Sequence, residues 1–280
     1  MRTPAHPAGY PPAFVEHWLA RALALPRRHG RPPVFGIAGL QGTGKSTLAA
    51  QLRELAASRG QHVVVLSIDD FYLGRRDRLA LGRTVHPLLA TRGPPGTHDI
   101  ALACATIDAL RALRPGATAR LPRFDKIADR RLPPSRWTRV HERPDLVVLE
   151  GWFLKVPPEA PAALRRPLNR LEREHDPDGT WRAYCNAALS GYAPLWRRLD
   201  TLLFLQGPGF ERVPQWRWQQ ERTLQARHPG RRAMTRAQVE RFVLFFERVS
   251  RQALRTLPAI AEATVRLDAQ RRVQPAVGGP

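Results

Sequence analysis

Cysteine is nearly absent: Cys104 and Cys185 are the only two in 280 residues. Two isolated thiols offer neither a zinc-ligand spacing nor a disulfide framework, and a reducing cytoplasm is the compartment expected. Lysine is scarce as well, with three residues (Lys45, Lys126 and Lys155), so the formal net charge of +21 is almost wholly arginine. The arginines are spread over the whole chain among abundant Ala, Leu and Pro. That distribution reads as GC-rich coding and a basic solvated surface, and argues against a nucleic-acid groove. Long apolar runs are also missing, and none approaches the roughly 18–20 residues needed to cross a bilayer. Met1–Pro12 is rich in proline, carries little charge and has no apolar core, so it does not read as a secretory signal.

What is present suffices for one large core, with hydrophobic residues at 43%. Residues 1–33 read as a lead-in followed by a helix. The lead-in over 1–12 is expected to be poorly ordered, and Phe14–Leu25 has helical spacing (Phe14, Trp18, Leu19, Ala22, Leu25) that stops at Pro26. Residues 34–267 read as one domain and 268–280 as a loose tail. Strands are expected at Val34–Ala38, His62–Ile68, Leu146–Leu149 and Thr201–Leu205, where apolar runs, β-branched and continuous at His62–Ile68, suit parallel strands covered on both faces, and Ala263–Leu267 reads as the last strand. Helices are expected at Ser46–Arg59 and Asp99–Leu113. A further helix opens at Thr235, where Gln238 completes a capping-box pattern. Gly74–Thr97 and Leu121–Pro144 read as irregular. The alternation points to an α/β P-loop NTPase fold, a parallel sheet with helices on both faces.

The sharpest motif is Gly39-Leu-Gln41-Gly42-Thr43-Gly44-Lys45-Ser46, a full G-x-x-x-x-G-K-S set between an expected strand and an expected helix. The glycines allow successive N–H groups to face one point, and the helix adds its positive end. Gly39, Gln41, Gly42, Thr43 and Gly44 are the candidate cradle for ATP, with Thr47 seating the helix start. Lys45 would reach the β- and γ-phosphates, and Ser46 would supply one oxygen to Mg²⁺.

Two carboxylate sites accompany the loop. Asp69 and Asp70 close the second strand, where the carboxyl ends of parallel strands open onto the ligand crevice. An acid there can deprotonate an acceptor hydroxyl; from the residues alone, either one qualifies. Leu146–Leu149 followed by Glu150 and Gly151 is an apolar strand ending in an acid, and Glu150 is the second candidate for Mg²⁺.

Taken in order, several blocks resemble the D-glycerate 3-kinases of plants and fungi and their bacterial relatives. They are Gly39–Ser46, Ser67-Ile-Asp-Asp-Phe-Tyr-Leu73, Arg92-Gly-Pro-Pro-Gly-Thr-His-Asp99, Pro122-Arg-Phe-Asp-Lys126 and Leu149-Glu-Gly-Trp152. Asn186–Trp196, Trp216–Glu221 and Met234–Val243 extend the likeness, which runs from about Val34 to Leu267. It implies transfer of the ATP γ-phosphate to the 3-hydroxyl of D-glycerate, a small hydroxylated carboxylate. It also implies that Asp69 is the base and that Asp70 positions substrate or metal. Tyr72, His98 and Asp99 would contact the substrate, although Tyr72 could equally be packing and His98 could bond backbone at a helix start. Arg92 and Arg123 are the candidates for the substrate carboxylate. Gln215–Arg222 is expected either as a lid with Arg217 acting on the phosphates or as an amphipathic packing helix. Uridine kinase, pantothenate kinase and phosphoribulokinase are the wider relatives, so another hydroxylated acceptor is the first alternative, and a nucleic-acid-associated P-loop ATPase, suggested by the charge, ranks behind it.

Overall fold

The computed structural model describes residues 9–227, 230 and 233–275. The strands along the chain are β1 (Val34–Gly39), β2 (Val63–Ser67), β3 (Ala119–Leu121), β4 (Phe124–Asp125), β5 (Arg130–Arg131), β6 (Thr138–Val140), β7 (Leu146–Gly151), β8 (Thr201–Gln206) and β9 (Ala263–Arg266). The helices are α1 (Pro12–Leu23), α2 (Lys45–Ser58), α3 (Arg75–Thr84), α4 (Ile100–Arg111), α5 (Arg170–His175), α6 (Thr180–Ala188), α7 (Ala193–Trp196), α8 (Val213–Arg227), α9 (Arg236–Val243) and α10 (Glu247–Ile260).

One five-stranded parallel sheet forms the centre, in the order β2-β7-β1-β8-β9. Every residue of β1 and β7 is buried, as expected of parallel strands covered on both faces. Alternate residues face opposite layers. Phe35, Ile37, Val148 and Leu203 pack with Val15, Trp18 and Leu19 of α1 and with Leu48 and Leu52 of α2. Val34, Ala38, Leu149 and Phe204 pack with Ile107 and Leu110 of α4 and with Ala253 and Leu257 of α10. This is an α/β P-loop fold, and the expected capping box is present: Gln238 N donates to Thr235 Oγ1 at 3.2 Å and Thr235 N to Gln238 Oε1 at 2.8 Å.

Four segments differ from their sequence reading. Gly74–Thr97 contains α3 and a short 3₁₀ turn at Pro87–Ala90. The helix escapes an apolar-stripe reading because the side chain it buries is Arg78. The Arg78 guanidinium donates to the carbonyls of Leu73, Ala90 and Asp129 and pairs with the Asp129 carboxylate at 2.8 Å. Leu121–Pro144 carries the β4–β5 hairpin and most of the β3–β6 ribbon, strands too short for a period-two signal. The segment expected to be loose packs over 268–275. Arg271 donates to the Gly42 carbonyl at 2.6 Å and to Gln219 Oε1 at 2.9 Å, and Ala269 O accepts from Trp216 Nε1 at 3.1 Å. In the lead-in, Tyr10 is buried and its hydroxyl donates to Thr43 O at 2.7 Å. Residues 1–8 and 276–280 lie outside the described residues.

Candidate active site

The phosphate loop leaves the carboxyl end of β1 and enters α2. Gly42 and Gly44 have φ of +85° and +91°, conformations that L side chains adopt only under strain. Space enforces the same choice at Gly42, where a Cβ would lie 2.5 Å from Trp216 Cβ. Lys45 opens α2 and is buried; its Nζ donates to Leu40 O at 3.0 Å. Burial pulls its pKa down, against the opposing pull of Glu150 and Asp69. One residue on, Ser46 Oγ donates to Glu150 Oε1 at 2.9 Å. Glu150 is one of the last two residues of β7, the strand between β1 and β2.

Asp69 and Asp70 sit in a 3₁₀ turn (Ile68–Phe71) started by Ser67 Oγ, which accepts from Asp69 N at 3.3 Å. Successive residues of such a turn point about 120° apart, so the two acids diverge. Asp69 faces the loop: Oδ1 accepts from the Tyr72 hydroxyl at 2.8 Å and Oδ2 from Lys126 Nζ at 2.6 Å. Burial opposes its charge, yet Lys126 and Tyr72 together hold Asp69 well below the usual carboxylate range. Asp70 turns away, bonded to Arg123 at 3.0 Å and to Phe124 N at 3.2 Å, and burial raises its pKa despite Arg123.

A cavity of about 360 Å³ joins these groups. Four cationic side chains (Lys45, Arg92, Lys126, Arg217) and two carboxylates (Asp69, Glu150) line it, together with Gln41, Gly42, Ser46 and Tyr72. Arg92 pairs with Asp129 at 2.6 Å and donates to Lys126 O at 3.0 Å. Arg217 pairs with Glu221 at 3.5 Å within α8. Within that segment Trp216 is buried against Gly42, while Arg217 faces the cavity.

The expected substrate residues divide. Tyr72 and Arg92 reach the cavity; Asp70, Arg123, His98 and Asp99 do not. Asp99 caps α4, accepting from Leu102 N at 3.0 Å, and pairs with Arg131 at 3.1 Å. His98 lies behind Tyr72, ring centroids 4.5 Å apart, with Nδ1 2.7 Å from the Tyr192 hydroxyl. Burial lowers its pKa to about 3, against the pull of Asp69, and keeps the imidazole neutral. Lys126 was not among the expected site residues. Its signal was available: in a chain that otherwise uses arginine, two of the three lysines, Lys45 and Lys126, meet in this cavity.

The donor set fits a magnesium–nucleotide complex. Ser46 and Glu150 offer adjacent oxygens of the kind Mg²⁺ takes, and the loop with the start of the 14-residue α2 offers amides to phosphate.

Comparison with known proteins agrees with that geometry. A family model described as methylmalonyl Co-A mutase-associated GTPase MeaB matches residues 17–72, the stretch holding the phosphate loop. In structure the chain resembles D-glycerate 3-kinase from Cryptococcus neoformans var. grubii, with a TM-score of 0.74 and 25% identity over 95% of this chain and 96% of that one. In sequence it is 32% identical over 216 residues to the uncharacterized kinase mug58 of Schizosaccharomyces pombe, covering 73% of this chain and 76% of that protein. The chain belongs to the D-glycerate 3-kinase family. The chloroplastic D-glycerate 3-kinase of Arabidopsis thaliana is 29% identical over 251 residues, and the match spans 84% of this chain and about half, 51%, of the plant protein. Membership of the D-glycerate 3-kinase family makes the chain a small-molecule kinase of the P-loop class. Among the described residues, no helix is long and apolar enough to cross a membrane.

Proposed function

We propose that this chain transfers the γ-phosphoryl group of ATP to the 3-hydroxyl of D-glycerate, giving ADP and 3-phosphoglycerate. The observation that carries the reading is one cavity shared by a phosphate loop, a strand-end carboxylate and two cations, Lys126 and Arg92, beyond those the triphosphate needs. Family membership and the fungal D-glycerate 3-kinase, similar over nearly the whole chain, support glycerate as acceptor.

In this reading, the amides of Gly42–Ser46 and the start of α2 hold the β- and γ-phosphates, with Gly39, Gln41 and Thr43 shaping the cradle and Thr47 supporting the first turn. Lys45 gives up its bond to Leu40 O and meets the transferring phosphoryl group, and Arg217 meets the same charge from α8. Ser46 and Glu150 would hold Mg²⁺, which neutralises charge on the phosphate oxygens. Asp69 takes the proton of the acceptor hydroxyl, and the Tyr72 hydroxyl on Oδ1 fixes its orientation. In a loose transition state the attacking oxygen gains little bond order before the γ-phosphoryl group has largely left ADP, so a carboxylate is base enough to take the proton late. Asp70, His98, Asp99 and Arg123 act behind the cavity, holding the turn, the Tyr72 ring and α4 in place.

An acceptor panel with the purified chain tests this. D-glycerate, L-glycerate, glycerol, uridine and pantothenate are offered with MgATP, ADP release is followed, and the product is identified by phosphorus NMR. Turnover of D-glycerate to 3-phosphoglycerate is expected. Turnover of another acceptor in place of D-glycerate would sink the glycerate assignment.

A further inference from the structure

We infer that Lys126 is the receptor for an anionic group on the acceptor, and that until such a group arrives Lys126 blocks the proton-accepting oxygen of Asp69. The inference deepens the kinase reading above and rests on it, although not on glycerate in particular.

The two oxygens of Asp69 are held in different ways. Oδ1 accepts from Tyr72, a buried side chain packed against His98 and edge-on to Phe124. That packing holds the Tyr72 hydroxyl in place on Oδ1. Oδ2 accepts from Lys126, whose side chain is 56% exposed. The ammonium sits at the end of a flexible stem, but the stem has a fixed base. Asp125 Oδ1 accepts from Ile127 N and Ala128 N, both at 2.9 Å, and Arg92 donates to the Lys126 carbonyl. The head can swing while the turn stays in place. Oδ2 is therefore the oxygen that can be freed, and Lys126 is the group that must leave it.

A cation leaves a carboxylate at low cost when another anion takes over the pairing. Water or an uncharged alcohol brings no replacement charge. The γ-phosphate is met by Lys45 and Arg217, but an acceptor carboxylate beside Lys126 and Arg92 completes the exchange. Nζ and Oδ2 are 2.6 Å apart. A short hydroxy acid, its carboxylate and hydroxyl a few bonds apart, therefore engages both positions together. Its carboxylate draws the ammonium away, and its hydroxyl takes the vacated place on Oδ2. The transfer then balances: the hydroxyl proton passes to Asp69 Oδ2, the hydroxyl oxygen bonds to Pγ, and the bond from Pγ to the bridging oxygen breaks with its electron pair leaving on ADP. Lys126 keeps its proton throughout. A water molecule near the phosphate meets an occupied Oδ2, so cleavage of ATP without transfer is held down.

Two variants of the full chain, Lys126→Met and Lys126→Arg, test the inference. Each is assayed with D-glycerate, with glycerol as the uncharged counterpart, and with MgATP alone. For Lys126→Met, the KM for D-glycerate should rise about 10- to 100-fold, the range of a lost charged hydrogen bond. Turnover of glycerol and ADP release without acceptor, both relieved of the block on Oδ2, should rise several-fold. Lys126→Arg retains the charge and should recover part of the preference for the acid, and it serves alone should the methionine variant fail to fold. An unchanged KM for the acid, an equal loss with glycerol, or unchanged ADP release without acceptor overturns the inference. A wild-type chain that phosphorylates only uncharged alcohols also overturns it while leaving the kinase reading intact. If wild type phosphorylates a hydroxy acid other than glycerate, the glycerate assignment fails, and the same comparison made with that acid decides the role of Lys126.

Discussion

Ser46 Oγ and Glu150 Oε1 lie 2.9 Å apart, joining the first turn of α2 to the end of β7. The pair brings a hydroxyl and a carboxylate from positions far apart in the chain to one point on the cavity wall. Replacing Glu150 with Gln keeps the shape and an acceptor oxygen but removes the charge. Turnover is expected to fall on the order of 100-fold, with part of the loss recovered at higher Mg²⁺. A magnesium titration of initial rates measures this, and chelating the divalent ion should abolish transfer in both proteins.

Asp69 and Tyr72 should separate by size of effect. Asp69→Asn is expected to lower kcat by about 10²- to 10⁴-fold, the usual range for a lost general base, with ATP affinity nearly unchanged. Tyr72→Phe removes one hydrogen bond to a charged oxygen and should cost about tenfold in kcat. Steady-state kinetics together with nucleotide titration distinguish the two. A fully active Asp69→Asn alongside an inactive Asp70→Asn would move the base to Asp70.

His98 sets a pH dependence of stability. Its folded-state pKa is lowered from 6.5 to about 3, so at intermediate pH the unfolded chain binds a proton that the folded one does not. Stability from this group is complete above about 6.5 and is lost as pH falls toward 3, by about 1.4 kcal/mol per unit. His98→Gln lowers stability at neutral pH by losing the ring packing. It should also flatten the acid limb of a denaturant-midpoint profile between pH 6 and 4. An unchanged slope there would show that other groups govern acid unfolding.

Gly42→Ala combines φ of +85° with a Cβ 2.5 Å from Trp216 Cβ. Either the loop or α8 must shift. A drop in melting temperature of about 4–8 °C is expected, together with at least tenfold weaker ATP binding. Thermal melts with and without MgATP report both.

The sheet was legible because β1, β2, β7 and β8 are built on continuous apolar runs and the layer helices carry apolar stripes. The phosphate loop was legible because its chemistry demands glycines, a lysine and a hydroxyl at fixed spacing. Helix α3 was not, because its anchor is the buried Arg78 rather than a hydrophobic face. The divergence of Asp69 and Asp70 was hidden because it depends on the 3₁₀ geometry of a four-residue turn. Arg123 and Asp99 carry charges suited to a substrate, but the fold uses them on Asp70 and on the start of α4. Lys126 comes from a hairpin of two-residue strands, and no periodicity brings that hairpin beside the turn after β2.

The hydroxyl of Tyr10 and the guanidinium of Arg271 grip the carbonyls of Thr43 and Gly42 in the phosphate loop. Nucleotide bound to the amides of that loop would therefore stabilise the same backbone conformation as these two flanking segments. By reciprocity, whatever the flanks contribute to ATP affinity, ATP returns to the docking of the flanks. The footprint of the nucleotide in hydrogen exchange should accordingly extend to residues near 10 and 271.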